Sequence, residues 1–301
     1  MMRGPNLFQN ALLLLLALVA TQARAELSQK QARKLITNMA GLSLPSKAVH
    51  VGQLRAISPA VVETSAEIEM VFRLIQNEKD HWRVSEVRAG REKWEDLEII
   101  ARAMRFDLPT GGCDAPELFT HAPKADPSVK RARCLIANLF GVTLPSDAVR
   151  IREVSSMGLP LGSQPSALVV ALVQLGVRLS KDGRDWHVAD IRSGNRGWLN
   201  VEKVPAAVDQ VKRNVAEEEL NTVARALEAF RRDRGSFVIS DKHAVLIDHL
   251  SPQYLVRVIR LDPWHNPYQY QGERDHFLLR STGPDGKPNT VDDIIVTDRS
   301  R

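Results

Sequence analysis

The sequence predicts an α+β chain: two repeated helix-plus-antiparallel-sheet domains, then a module with a long helix, a small antiparallel sheet and an acidic loop. Three observations predict this. Residues 32–49 (ARKLITNMAGLSLPSKAV) return at 132–149 (ARCLIANLFGVTLPSDAV) with eleven of eighteen positions identical. An alternating apolar run follows the first block, as a half-buried strand requires, and a more continuously apolar run, Ala167–Val173, follows the second, as a strand with one face covered by another domain allows. A stripe of apolar residues from Val208 to Phe230 at helical spacing then leads to Gly235 and, later, to three spaced aspartates.

The elements follow in chain order. Arg3 and the apolar run Ala11–Ala20 precede Ala23-Arg24-Ala25, the pattern of a signal peptide. The apolar run is short for a membrane span, which needs about 20 residues. Cleavage after Ala25 is expected, with an uncleaved anchor as the alternative. No cysteine follows the apolar run to suggest a lipoprotein. The expected divisions are a signal peptide at 1–25, repeat domains at 26–106 and 128–204, a linker at 107–127 and a C-terminal domain at 205–301.

In each repeat the first element is a helix. Ala32, Leu35, Ile36 and Met39 share one face, as do Ala132, Leu135, Ile136 and Leu139. Gly41 and Gly141 stand where a helix C-cap is expected. Short strands follow at 48–55 and 148–154. Ala66, Ile68, Met70, Phe72 and Leu74 then alternate with Glu67, Glu69 and Arg73, which predicts a strand with one buried face. Turns at 77–80 and 181–184 lead to Trp-bearing strands at 81–89 and 185–193. Trp82, Trp94 and their counterparts Trp186 and Trp198 read as packing residues carried along by duplication, with ligand stacking as the alternative. The copies are joined by a Pro-, Gly- and Asp-rich stretch. Cys113 and Cys134, the two cysteines of the chain, can pair across a loop of about 20 residues; two unrelated thiols are the other reading.

Composition narrows the function classes. The formal net charge is +5 and the pI about 9.3, yet the cations are scattered and form no stripe for nucleic acid, so no nucleic-acid partner is expected. The sequence contains no His-Glu-x-x-His, no Gly-x-Ser-x-Gly, no phosphate loop and no zinc-spaced cysteine pair. Asp185, His187 and Asp190 are the one candidate hydrolytic cluster, and copy 1 does not repeat it in register.

The C-terminal module opens at Pro205, a residue suited to a helix N-terminus. The apolar stripe predicts a helix of about 28 residues, roughly 40 Å long. It ends at Gly235 after Arg231, Arg232 and Arg234. A second helix is expected at 242–250 and strands at 268–271 and 276–280. The loop that follows carries Asp285, Asp292 and Asp293, with Gly283, Gly286 and Pro288 to bend it. Three hard carboxylates and inward carbonyls suit calcium. The spacing is not that of an EF-hand, and an Asx-turn loop with solvated acids is the plainer alternative.

This module resembles the C-terminal domain of the major (G-type) pseudopilin of type II secretion. The resemblance rests on Gly235-Ser236-Phe237, on Asp262-Pro263-Trp264-His265-Asn266-Pro267-Tyr268-Gln269-Tyr270, and on Ser281 to Asp293. It spans roughly residues 216–297, under a third of the chain. Asp262, Pro263, Trp264, Asn266, Pro267 and Tyr268 carry the motif, and His265 stands where the family usually has Gly. The family's N-terminal hydrophobic pilin helix is absent; two other domains precede the module. The resemblance implies a bound Ca2+, held by the aspartates with carbonyl ligands near Thr282, Pro284 and Lys287. It implies a non-enzymatic protein exported to the periplasm or beyond, a scaffold or binding component related to protein secretion, with secretion-machinery or other envelope proteins as partners and no membrane span after signal cleavage. The alternatives are an atypical pseudopilin that keeps its N-terminal segment as an anchor, and a periplasmic hydrolase using the repeats.

Overall fold

The computed structural model describes residues 27–76, 81–91, 93–109, 113, 127–157 and 165–298. The expected signal peptide, the turn expected at 77–80 and most of the expected linker lie outside the described residues. The chain divides into two units at Val204, and both combine helices with antiparallel sheet.

The first unit opens with α1 (Gln29–Thr37). Ser28 accepts the Gln31 backbone N–H while the Gln31 side chain accepts that of Ser28, a reciprocal cap that satisfies two orphan donors. Then come β1 (Val49–Val51), β2 (Arg55–Ser58), β3 (Val61–Gln76), β4 (Trp82–Ala89), β5 (Glu95–Asp96) and α2 (Leu97–Met104). The second copy gives α3 (Val129–Leu139), β6 (Val149–Met157), β7 (Ser166–Asp182), β8 (Asp185–Ser193) and β9 (Leu199–Asn200). Gly141 takes the left-handed conformation just past α3 (φ +65°), whereas after α1 the left-handed residue is Ala40, not Gly41. Copy 1 leaves its helix through a short 3-10 turn, Met39–Gly41, and this moves the turn by one residue.

Among the described residues the nine strands form one antiparallel sheet, with a central order β5-β4-β3-β7-β8-β9. β3 and β7 pair along nearly their whole lengths, from Val61 opposite Ser180 to Ile75 opposite Ser166. The outer edge of each long strand carries shorter strands end to end. β1 and β2 pair with the first half of β3, and β4 with the second half. β6 and β8 divide β7 in the same way. At one end of the sheet the strands therefore run β4-β3-β7-β6, and at the other β1/β2-β3-β7-β8. Each end holds strands from both copies.

The helices bridge the copies. α1 packs on its own β1 and on β8 of the other copy; α3 packs on its own β6 and on β4. Even-numbered residues of β3 (Val62, Ala66, Ile68, Phe72, Leu74) and odd-numbered residues of β7 (Val169, Ala171, Val173, Val177, Leu179) face the helices and are buried. One continuous core results, joining Ile36 of α1 and Ile136 of α3.

The opposite face is polar and paired. Arg178 meets Glu63 at 2.8 Å and Asp190 at 3.3 Å, Arg150 meets Glu67 at 2.6 Å, and Arg73 pairs with Glu86. Trp94 lies between Arg73 and Arg88, each 4.6 Å from its ring. Trp198 lies between Arg178 at 4.2 Å and Arg192 at 4.7 Å. Two guanidiniums thus stack on each ring, over π surface that a stacking ligand would need. Cys113 and Cys134 are joined by a disulfide with Cα atoms 5.7 Å apart.

The second unit is built on α4 (Lys203–Arg234), α5 (His243–Leu250), β10 (Gln269–Gly272), β11 (Phe277–Ser281) and β12 (Ile294–Thr297). Pro205 sits in the first turn of α4, where a missing N–H costs little. The helix ends with Gly235 at φ +80°, its N–H bonded to the Arg231 carbonyl at 2.8 Å. The sheet order is β10-β11-β12, all antiparallel. Leu220, Val223 and Leu227 of α4 meet Leu246 and Leu250 of α5 and Tyr270, Phe277 and Leu279 of the sheet. Among the described residues no helix is long and apolar enough to cross a membrane.

Candidate functional site

The site grows from one buried carboxylate. Asp262 is 3% exposed. Its Oδ1 accepts the backbone N–H groups of Trp264 (3.0 Å) and Asn266 (2.8 Å), and its Oδ2 accepts the Ser281 hydroxyl at 2.6 Å. These bonds wind residues 262–266 into a tight turn, closed by the Asp262 N–H on the Asn266 carbonyl at 2.8 Å. His265 pays for the turn with φ +68°. A left-handed L-residue costs about 1–2 kcal/mol, a cost glycine avoids. His265→Gly is therefore expected to raise stability by about 1 kcal/mol. Urea unfolding of the two proteins measures it, and a loss of stability would contradict the strain.

The turn projects three side chains that hold other parts of the unit. Trp264 Nε1 donates to Asp209 Oδ1 on α4 at 3.0 Å. The other Asp209 oxygen holds Arg213, one helical turn on, at 3.1 Å. Arg213 reaches the Asp292 carbonyl at 3.4 Å. Asn266 Nδ2 donates to the Gly283 carbonyl at 2.7 Å. Tyr268 donates to Glu219 of α4 at 2.8 Å. Burial, opposed by the Tyr268 hydrogen bond and Arg257, raises the Glu219 carboxyl above its ordinary range. Pro263 and Pro267 flank this arrangement.

Beside Tyr268 lies His243, its ring centroid 6.1 Å away. Its Nε2 is buried with no hydrogen-bond partner. Burial, then the Arg260 charge, pushes the imidazole down from 6.5 to about 4. A base whose folded pKa is depressed loses stability on acidification, because the unfolded chain takes up the proton first. That contribution is complete above pH 6.5 and is lost as pH falls toward 4. His243→Phe should flatten this part of the pH–stability curve, measured by urea unfolding at stepped pH; an unchanged acid limb would rule His243 out as its source.

The acidic loop gathers around Thr290. Its hydroxyl lies 2.7 Å from Asp292 Oδ1, 3.0 Å from the Lys287 carbonyl, 3.4 Å from Asp293 Oδ1 and 3.5 Å from Asp285 Oδ1. A hydroxyl has one proton to give, so four acceptors compete for one donor. Backbone N–H groups relieve some of the charge: Asp285 N–H donates to Asp292 at 3.2 Å, Lys287 N–H to Asp285 at 2.7 Å and Asn289 N–H to Asp293 at 2.8 Å. The Thr290 hydrogen bond, with the backbone N–H groups of Asp285 and Asp292 and the Arg213 charge, holds the Asp292 carboxyl below its usual range. Asp293 also pairs with Arg280 at 3.3 Å, in a nearly buried contact. Gly283 has φ +60°, and a Cβ there would come within 2.6 Å of the Asp292 carbonyl; a side chain would push the two ends of the loop apart. Thr282 is buried at the loop's root, and Pro284 follows in the turn.

In kind, these oxygens fit a hard cation: three carboxylates and a carbonyl face one hydroxyl. In arrangement they are not a closed cage. Among the described residues no three His, Cys, Asp or Glu side chains stand at metal-holding geometry. Asp209, Arg213, Arg280 and Thr290 were not anticipated from sequence. The i, i+4 spacing of Asp209 and Arg213 is a readable signal for a helical pair, but not for what it grips. The hydrolytic cluster is not assembled: Asp190 is held by Arg178 at 3.3 Å and does not line the groove that Asp185 and His187 line.

A long helix ended by glycine, a short second helix, a three-stranded sheet and an acidic loop pinned by a buried Asp-Pro-Trp turn define the C-terminal unit as a pseudopilin-type domain. Residues 203–298 match the family described as Type II secretion system (T2SS), protein G. The chain is also 27% identical over 106 residues to the type II secretion system core protein G of Pseudomonas aeruginosa, covering 31% of this chain and 75% of that protein. No solved structure gives a significant match. The comparisons thus support a type II secretion pseudopilin-type domain in the C-terminal third of the chain.

Proposed function

We propose that this protein is an exported, non-enzymatic component of type II secretion, in which a calcium-stapled pseudopilin-type domain is carried by a duplicated scaffold. The crowding of carboxylates around the single Thr290 proton supports the calcium reading. Asp285, Asp292 and Asp293, with carbonyls of Thr282, Pro284 and Lys287, would hold the ion, which would neutralise the loop and tie β11 to β12. The resemblance to protein G supports a partner in the secretion machinery, and the repeats would act as the binding part of the scaffold.

An ion bound only by the folded state stabilises it by RT ln(1 + [L]/Kd), about 2.7 kcal/mol at a hundredfold excess over Kd. Thermal unfolding of the full chain should shift upward in millimolar calcium relative to chelator. Asp292→Ala should abolish the shift. Equal midpoints with calcium and chelator would leave the loop held by its hydrogen bonds and Arg280 alone.

A further inference from the structure

Because each helix packs on a strand of the other copy, two corresponding positions arise, one beneath α1 against β8 and one beneath α3 against β4. In the α3 groove the chain supplies its own occupant. Cys113 is bonded to Cys134, accepts Asn138 Nδ2 at 3.2 Å and is 8% exposed. Phe106 and Leu108, from the same stretch of chain, pack on the core. Trp82 of β4, the counterpart of Trp186, is 5% exposed.

The counterpart under α1 is an open groove of about 610 Å3, within the range of roughly 300–1,000 Å3 typical of ligand sites. Its apolar lining includes Leu27, Leu35, Met39, Trp186 and Val188. Trp186, the equivalent of Trp82, remains partly exposed. Lys34 takes the position of Cys134, and Asn38 that of Asn138. The helix thus offers a cation where the other copy forms its disulfide, and Arg184 lines the same groove. Asp185 and Glu202 line it too, which disfavours an occupant acidic along its whole length.

We propose that this groove binds an extended peptide of a partner protein, with an acidic residue set against Lys34 at the place Cys113 holds in the other copy, and with neutral or basic flanks. Apolar contact with Trp186 would supply affinity, and the Lys34 charge would supply selectivity. The site is remote in sequence from the acidic loop, and its test does not depend on calcium.

The probe is a capped peptide with the chain's own residues 106–113 carrying Asp107→Asn and Cys113→Glu, titrated calorimetrically into the full chain; a second peptide carries Asp107→Asn and Cys113→Lys. Saturable binding of the Glu peptide is expected, weaker binding of the Lys peptide, and a reversal of that preference in Lys34→Glu, by about tenfold for one charge contact. Lys34 is exposed, so this variant should fold normally, which circular dichroism checks. Trp186→Ala should remove binding of both peptides. The proposal fails if neither peptide binds, if both bind equally to the unaltered chain, or if Lys34→Glu leaves the preference unchanged. It also fails if the peptide dissociates a dimer, since the occupant would then be a second copy.

Discussion

Replacing Asp262 by Ala is expected to cost the C-terminal unit about 4 kcal/mol, an exceptional effect for one residue. Its carboxylate accepts three hydrogen bonds in a site closed to water. Each bond to a charged group contributes about 1.5–3 kcal/mol, and the donors left behind at Trp264, Asn266 and Ser281 would be desolvated without partners. The turn also aims Trp264 at Asp209 and Asn266 at Gly283, so its loss would release the acidic loop from α4. Denaturant unfolding followed at the C-terminal unit gives the number. A cost below about 1 kcal/mol would mean that the turn is held by its prolines instead.

The second large effect concerns the repeats. Residues 27–109 expressed alone should form no stable folded monomer. Without copy 2, β3 loses the partner it pairs from Val61 to Ile75, and α1 loses β8 beneath it. The fragment would expose an unpaired 16-residue edge of the kind that recruits another strand. β3 and β7 are equivalent strands, so two fragments can pair β3 with β3 and rebuild the sheet. The expected outcome is an unfolded monomer in equilibrium with a folded dimer, seen by light scattering with circular dichroism across a concentration series. A fragment that melts cooperatively as a monomer at every concentration would overturn this dependence of one copy on the other.

Sequence reasoning reached the parts of this structure that are local. Helical periodicity located α1, α3 and α4, and Gly235 marks the end of α4 as anticipated. Period-two alternation assigned Ile68, Phe72 and Leu74 to the buried face of β3. The expected first strand at 48–55 is instead divided into β1 and β2. β12 was missed because four residues, Ile294–Thr297, carry too little pattern to separate from the loop before them. α2 was also missed, next to the linker. The shared sheet was illegible for a different reason: two copies with the same strand pattern look alike whether their long strands pair with each other or each copy closes on its own. The acidic residues of the loop were visible as a motif, while their counter-groups were not. Arg213 and Asp292 are 79 residues apart, and nothing local in either neighbourhood announces the other.

The shared sheet has a consequence for symmetry. Two identical chains related by a two-fold axis must present every surface twice. Tying the two halves into one polypeptide lifts that obligation, so each half can drift away from its twin without disturbing the shared core. Cys134 and Lys34, equivalent positions with opposite fates, record that freedom: one side is sealed by a covalent bond within the chain, and the other stays open at a fixed ratio of one per molecule.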